Sequence, residues 1–187
     1  MSTIKTTNIT HGSNSGTNNL ILDDTGKVSI ATKKLYCPGT IIQVLSTKST
    51  AVDFNTDGES MVEYPALNTA ITPSSSSNKV LIMVSLSLGA QAQGNFGMSL
   101  YDGSSAISDS INSNVTTNTS VSFFIASTVI VKQLNFNYLW SPNTTSEKTV
   151  KVYLMGDGAS KTLYVNRYGA SAGRGGQSSM TLMEVAG

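Results

Sequence analysis

Every second residue between positions 80 and 88 is apolar: Val80, Ile82, Val84, Leu86 and Leu88 lie on one face of an extended chain, because side chains alternate along a β-strand. Leu81, Met83, Ser85 and Ser87 take the other face. That face begins apolar and ends polar, which predicts a strand running from a two-sided interior toward a wet edge. The same two-residue period recurs elsewhere. Residues 40–48 read as one strand. Residues 60–64 and 66–72 read as two more, kept apart by Pro65, which has no N–H to give a central ladder. Residues 96–101 end in Asp102-Gly103, a preferred hairpin turn, and residues 104–120 are polar and loop-like. In 121–131, Phe123, Ile125, Val129 and Val131 alternate with Phe124, Ala126, Thr128 and Ile130, predicting a strand apolar on both faces. Leu134, Phe136, Tyr138 and Trp140 share a face of the next strand, opposite Asn135 and Asn137, and Pro142-Asn143 turns the chain. Residues 148–155 are expected to pair with 161–168 across Gly156-Asp157-Gly158. Residues 178–185 then close the domain after the glycine-rich loop 169–177. No long stretch carries apolar residues at the spacing of an amphipathic helix. The prediction is all-β: a jelly-roll-like β-sandwich of about eight or nine strands with an extended N-terminal arm.

The arm is set off by its polarity. Residues 1–19 are low-complexity sequence with no face to bury. Leu20-Ile21-Leu22, a turn ending in Gly26, and a second short apolar run containing Val28 and Ile30 follow, reading as one small hairpin. Cys37-Pro38-Gly39 punctuates the chain. The expected division is therefore an arm over residues 1–36 and a sandwich domain over 37–187. A lone hairpin is marginal in water, so the arm is expected to order on a partner, with Leu20, Ile21, Leu22, Val28 and Ile30 as its attachment residues. Fully extended, such an arm reaches about 120 Å.

Composition changes the picture by exclusion. Of 187 residues only 12% are charged, net charge is +1, and the charge is replaced by 28 Ser and 22 Thr. Nucleic-acid binding would need a clustered basic excess, which this balance does not supply. One Cys rules out an intrachain disulfide, and one His leaves little for a transition-metal centre or a His-based catalytic pair. No apolar run approaches the roughly 20 residues of a membrane helix, and residues 1–20 lack the apolar core of a signal peptide. Neither nucleic acid nor membrane is expected as a partner.

Several short motifs invite chemistry and then fall short. Asp53, Asn55, Asp57 and Gly58 match the opening of a calcium loop, but its twelfth position is Tyr64 rather than Glu, with Glu63 one place early. An Asx-type turn is the preferred reading. Gly173-Arg174-Gly175-Gly176 lacks the Gly-Lys-Ser/Thr ending of a phosphate loop. It reads as a mobile loop in which Arg167, Tyr168 and Arg174 could face a partner, Arg being enriched at interfaces. Gly12 to Gly16 has a nucleophile-elbow outline with Asn14 at its centre and only His11 nearby. Asn8, Asn114, Asn118 and Asn143 open glycosylation-like triplets that abundant Ser, Thr and Asn produce by themselves. Phe123, Phe124, Phe136, Tyr138 and Trp140 could stack on a sugar, yet aromatics alternating along strands more often fill a core. No carboxylate pair suited to glycoside hydrolysis stands out among Asp102, Asp109, Glu147 and Asp157. No enzyme and no cofactor are expected.

Pro38-Gly39-Thr40-Ile41-Ile42-Gln43-Val44, the block from Ile71-Thr72-Pro73-Ser74 to Lys79-Val80-Leu81-Ile82, Leu163-Tyr164-Val165-Asn166-Arg167, and the closing Ser179-Met180-Thr181-Leu182-Met183-Glu184-Val185 together resemble a virion-surface domain of tailed bacteriophages, particularly of marine and cyanobacterial hosts. The resemblance covers residues 38–186, and the hairpin at residues 20–30 looks like the short N-terminal segments of phage fibre proteins. It implies a non-enzymatic β-sandwich, usually a homotrimer, held to the particle by its N-terminal segment. The resulting expectation is a trimeric capsid decoration (cement) protein whose partners are its own copies and a major capsid or other virion protein. The alternative is a short tail fibre or receptor-binding tip recognising a host-surface glycan.

Overall fold

The computed structural model describes residues 8–9, 20–22, 28–30, 38–111, 119–128, 130–169 and 175–187. The chain separates into two compact units, residues 1–40 and 41–187. In the first, β1 (Asn8–Ile9), β2 (Leu20–Leu22) and β3 (Val28–Ile30) form a three-stranded antiparallel sheet in that order. The hairpin is there, with Leu20 opposite Ile30 and Leu22 opposite Val28. The strand β1 had no counterpart in the sequence pattern.

The second unit is all-β, two antiparallel sheets packed as a sandwich. Its strands are β4 (Ile41–Ser49), β5 (Asn55–Thr56), β6 (Val62–Ile71), β7 (Lys79–Ala90), β8 (Gly94–Asp102), β9 (Ser105–Ala106), β10 (Val121–Ile125), β11 (Lys132–Trp140), β12 (Lys148–Met155), β13 (Leu163–Val165) and β14 (Ser178–Val185). One sheet runs β10-β8-β12-β6 with β9 on β8; the other runs β4-β14-β7-β13-β5 with β11 on the far edge of β7. These are eleven strands among the described residues, the excess over eight or nine coming from the two-residue pieces β5 and β9.

The alternation seen in the sequence is the core. Val80, Ile82, Val84, Leu86 and Leu88 of β7 meet Met98, Leu100, Val150, Val152, Leu154 and Leu67 from the opposite sheet. Removing each such side chain from water contributes about 1.5–3 kcal/mol. At one margin the sheets are also tied by hydroxyls: Thr69 Oγ1 donates to Thr47 Oγ1 and Tyr64 OH to Ser49 Oγ, both at 2.8 Å.

Four expectations are corrected. Pro65 does not divide two strands but lies within β6. It is tolerated there because β6 is an edge strand and its pairing with β12 shifts register between Val150 and Val152, so no ladder bond is asked of Pro65. The strand over 121–131 stops at Ile125, whose partner Gly94 is the first residue of β8; beyond it no partner residue remains. Residues 148–155 do not form a hairpin with 161–168. Both edges of β12 are taken, by β6 and β8, so the chain crosses to the other sheet and β13 pairs with β7 and β5. Finally, the polar end of β7 is its dry end. Ser87 is buried, receives the Asn166 N–H on its carbonyl at 2.7 Å and gives its own N–H to Ser178 Oγ at 3.0 Å. The wet part of that face is Met83.

Candidate functional site

Two outward sheet faces carry what the core does not use. On the sheet containing β7, strand register places side chains in rows. Val44, Met183, Leu81 and Leu139 form one row; Ser46, Thr181, Met83 and Asn137 the next; Lys48, Ser179, Ser85 and Asn135 the third. The first row is apolar and open, with Val44 53% and Leu139 47% exposed, and Met83 beside it 37%. The second and third rows are hydroxyls and amides apart from Met83 and Lys48. Ser46 and Thr181 hydroxyls lie 3.0 Å apart, and Gln133 Nε2 donates to Ser85 Oγ at 3.4 Å. A shallow depression of about 310 Å³ opens between Met83, Asn135, Asn137 and Thr181. These twelve positions carry one cation, Lys48, and Lys79 stands one row further on, opposite Val185.

The outward face of the other sheet is organised around Glu63. Its Oε1 accepts from Asn68 Nδ2 at 2.7 Å, and its Oε2 from Lys151 Nζ at 2.9 Å and Tyr153 OH at 3.1 Å. The Asn68 hydrogen bond, then that of Lys151, holds the Glu63 carboxyl below the usual range although burial opposes it. Burial, and then donation to Glu63, raises the Tyr153 phenol. Tyr153 stacks on Tyr101 with ring centroids 3.8 Å apart. Tyr101 in turn lines a cleft of about 700 Å³ together with Glu59, Asn95, Ser122, Met155 and Asp157. Asp157 Oδ2 accepts from Lys161 Nζ at 2.8 Å and from the Asn95 N–H at 2.9 Å. Those two bonds, Lys161 first, hold its carboxyl low.

The residues singled out in the sequence are dispersed. Asp53, Asn55 and Asp57 are exposed around β5, and Asn55 Nδ2 is spent on the Asp53 carbonyl at 3.2 Å. Among the described residues no group of three or more His, Cys, Asp or Glu could hold a metal. Arg167 lies with its guanidinium 4.0 Å above the Tyr164 ring, and Tyr168 is half-buried next to it. Arg174, His11, Cys37, Asn114 and Asn118 lie outside the described residues, as do the side chains of Leu20, Ile21, Leu22, Val28 and Ile30. Of the five aromatics on β10 and β11, Phe123 and Trp140 are buried, Phe136 and Tyr138 pack against the core, and Phe124 is exposed. They make no platform together.

Sequence reasoning missed Tyr101 and Tyr153. The signal was parity: each falls on the polar face of its strand, Tyr153 with Thr149 and Lys151, Tyr101 with Asn95 and Ser99. An aromatic on a polar face is not packing the core.

No family model and no curated protein matches the chain. Among solved structures it is similar to the VP2 subviral particle of infectious bursal disease virus, at 13% identity and a TM-score of 0.37, over 78% of this chain and 33% of that one. It is also similar to T=1 particles derived from infectious bursal virus, at 11% identity and a TM-score of 0.38, over 88% of this chain and 39% of that one. The chain thus spans between a third and two fifths of the lengths it is compared with. Among the described residues no helix is long and apolar enough to cross a membrane.

Proposed function

We propose that this chain is a non-enzymatic structural protein of a virion, a homotrimeric decoration protein whose sandwich packs against its own copies and whose N-terminal arm, residues 1–36, fastens it to a shell. The observation that carries the reading is the outward face of β4, β14, β7 and β11. An apolar row of four strands' width, with hydroxyls and amides along one side and Ile41, Val185 and Lys79 along the other, has the make-up of an interface centre, where charge is depleted. A face with so few charges, on a chain of net charge +1, sets up little repulsion between identical copies. Its breadth across four strands suits contact with another sheet or shell surface better than capture of a small molecule.

Two measurements test it. Light scattering on the full chain should return a trimer mass, and Val44→Lys with Leu139→Lys should return a folded monomer; a monomeric unmodified chain with no change on substitution refutes the self-packing face. Deleting residues 1–36 should abolish binding to purified shells. Undiminished binding by the shortened chain refutes the arm as the fastening.

A further inference from the structure

We propose that the cleft beside Tyr101 is a binding site for an uncharged saccharide, a site that shell attachment would not require. The wall is built to stay in place. Tyr101 stacks on Tyr153, the Tyr153 hydroxyl is fixed on Glu63, and Glu63 is held by Lys151 and Asn68. Stacking on Tyr153 uses one face of the Tyr101 ring. A ring held this way loses little freedom on binding, which is the condition under which an aromatic surface adds affinity. A sugar ring offers such a surface a patch of C–H groups on one side and hydroxyls around its rim.

The rim chemistry is answered across the cleft. Both protein bonds to Asp157 fall on Oδ2, which leaves Oδ1 as an acceptor among the described residues. Asn95 and Ser122 add an amide and a hydroxyl. The volume of about 700 Å³ lies within the range of small-ligand sites, roughly 300–1,000 Å³, and holds a short oligosaccharide. Charge sets the class. Asp157 is neutralised by Lys161, while Glu59 has no ion-pair partner among the described residues. The cleft is therefore net negative and disfavours sialic or uronic acids and phosphates. Hydrolysis is not part of the proposal: Asp157 is held low by Lys161 and Asn95, whereas a general acid needs its carboxyl raised.

The test is an NMR titration of the full chain with three probes, lactose, diacetylchitobiose and 3′-sialyllactose. At least one neutral sugar should shift the amide signals of Asn95, Tyr101 and Asp157 with a dissociation constant on the order of millimolar, and sialyllactose should bind more weakly. Tyr101→Ala should weaken the neutral sugar about tenfold or more. Ser122→Trp, which adds bulk to the cleft from β10 and leaves Tyr101, Tyr153 and Glu63 unsubstituted, should abolish binding even if Tyr101→Ala perturbs folding. Val44→Lys should leave sugar binding unchanged, which separates this site from the self-packing face. No shift with either neutral sugar, equal binding of sialyllactose, or unchanged affinity in Ser122→Trp overturns the proposal.

Discussion

Asn78 Nδ2 donates to Glu184 Oε1 at 2.6 Å, joining two buried side chains that stand 106 residues apart in the chain. The same oxygen accepts the Ser74 N–H at 2.6 Å and the Ser74 hydroxyl at 2.8 Å, and Oε2 accepts from Gln43 Nε2 at 2.6 Å. No cation pairs with this carboxylate among the described residues. Four neutral donors replace the water it lost. Asn78 Oδ1 also accepts the Gly187 N–H at 3.1 Å, so one carboxylate ties β4, the loop before β7 and the last residue together.

Replacing this group is expected to cost about 3 kcal/mol, because Glu184→Gln puts an N–H₂ against donors and leaves buried groups unmet. The pH dependence follows from the direction of its shift. Burial pushes the Glu184 carboxyl up, but the bonds from Asn78, Gln43 and Ser74 bring it to a net value below 4.5. The stability it contributes is present above the unfolded value and lost as pH falls through the lower folded one. Urea unfolding should show the gap between the native chain and Glu184→Gln wide at pH 7 and shrinking as pH falls below the ordinary carboxylate range. A gap independent of pH contradicts an ionised Glu184.

Asn166 is expected to be the least replaceable polar residue of the sandwich. Its backbone is left-handed, with φ 59°. Its amide donates to the carbonyls of Ser49 at 2.9 Å and Ala51 at 3.0 Å, while Oδ1 accepts from Ser178 Oγ at 2.7 Å. Asn166→Ala should cost about 3 kcal/mol or more, from orphaned buried groups and a conformation unfavourable to alanine. Thermal denaturation measures it, and a loss under about 1 kcal/mol contradicts the account.

Two glycines should respond differently to alanine. A methyl at Gly89 would collide with the Arg167 carbonyl oxygen and stand 2.7 Å from Tyr168 Cα, both backbone atoms that cannot step aside. Gly103 has positive φ, 61°, but open space around it. Gly103→Ala should cost about 1 kcal/mol from backbone strain alone, and Gly89→Ala distinctly more. The reverse order in chemical denaturation would show that the chain at 166–169 is not packed on β7.

The Lys148–Asp102 pair, 2.6 Å long and partly exposed, should matter little. Asp102→Asn is expected to cost under about 1 kcal/mol, with the difference fading at high salt. A loss of several kcal/mol by urea unfolding would mean the pair is screened from water.

How much of this was legible can be judged from β7 and β12. The inward residues of β7 were readable one by one, since alternation is local and an apolar face must find an interior. Residues 178–185 were equally plain, down to the strand's ends. For β12 the strand was readable and its partners were not, because pairing depends on which edges remain free once other strands have docked. The same holds at Pro65, where a local rule predicted a break and an edge position with a shifted register removed the need for one.

The candidate sites divide along the same line. Chain order alone determined an all-β sandwich, its inward positions, the polarity of the N-terminal segment, and a composition poor in charge. Each follows from the side chain's own chemistry and a two-residue period. The apolar row from Val44 to Leu139 required four strands in register. The Tyr101 wall required β8, β12 and β6 side by side, and a buried Glu184 required donors from residues 43, 74 and 78. These meetings are long-range, paid for by the closure of whole loops, and only the folded chain decides them.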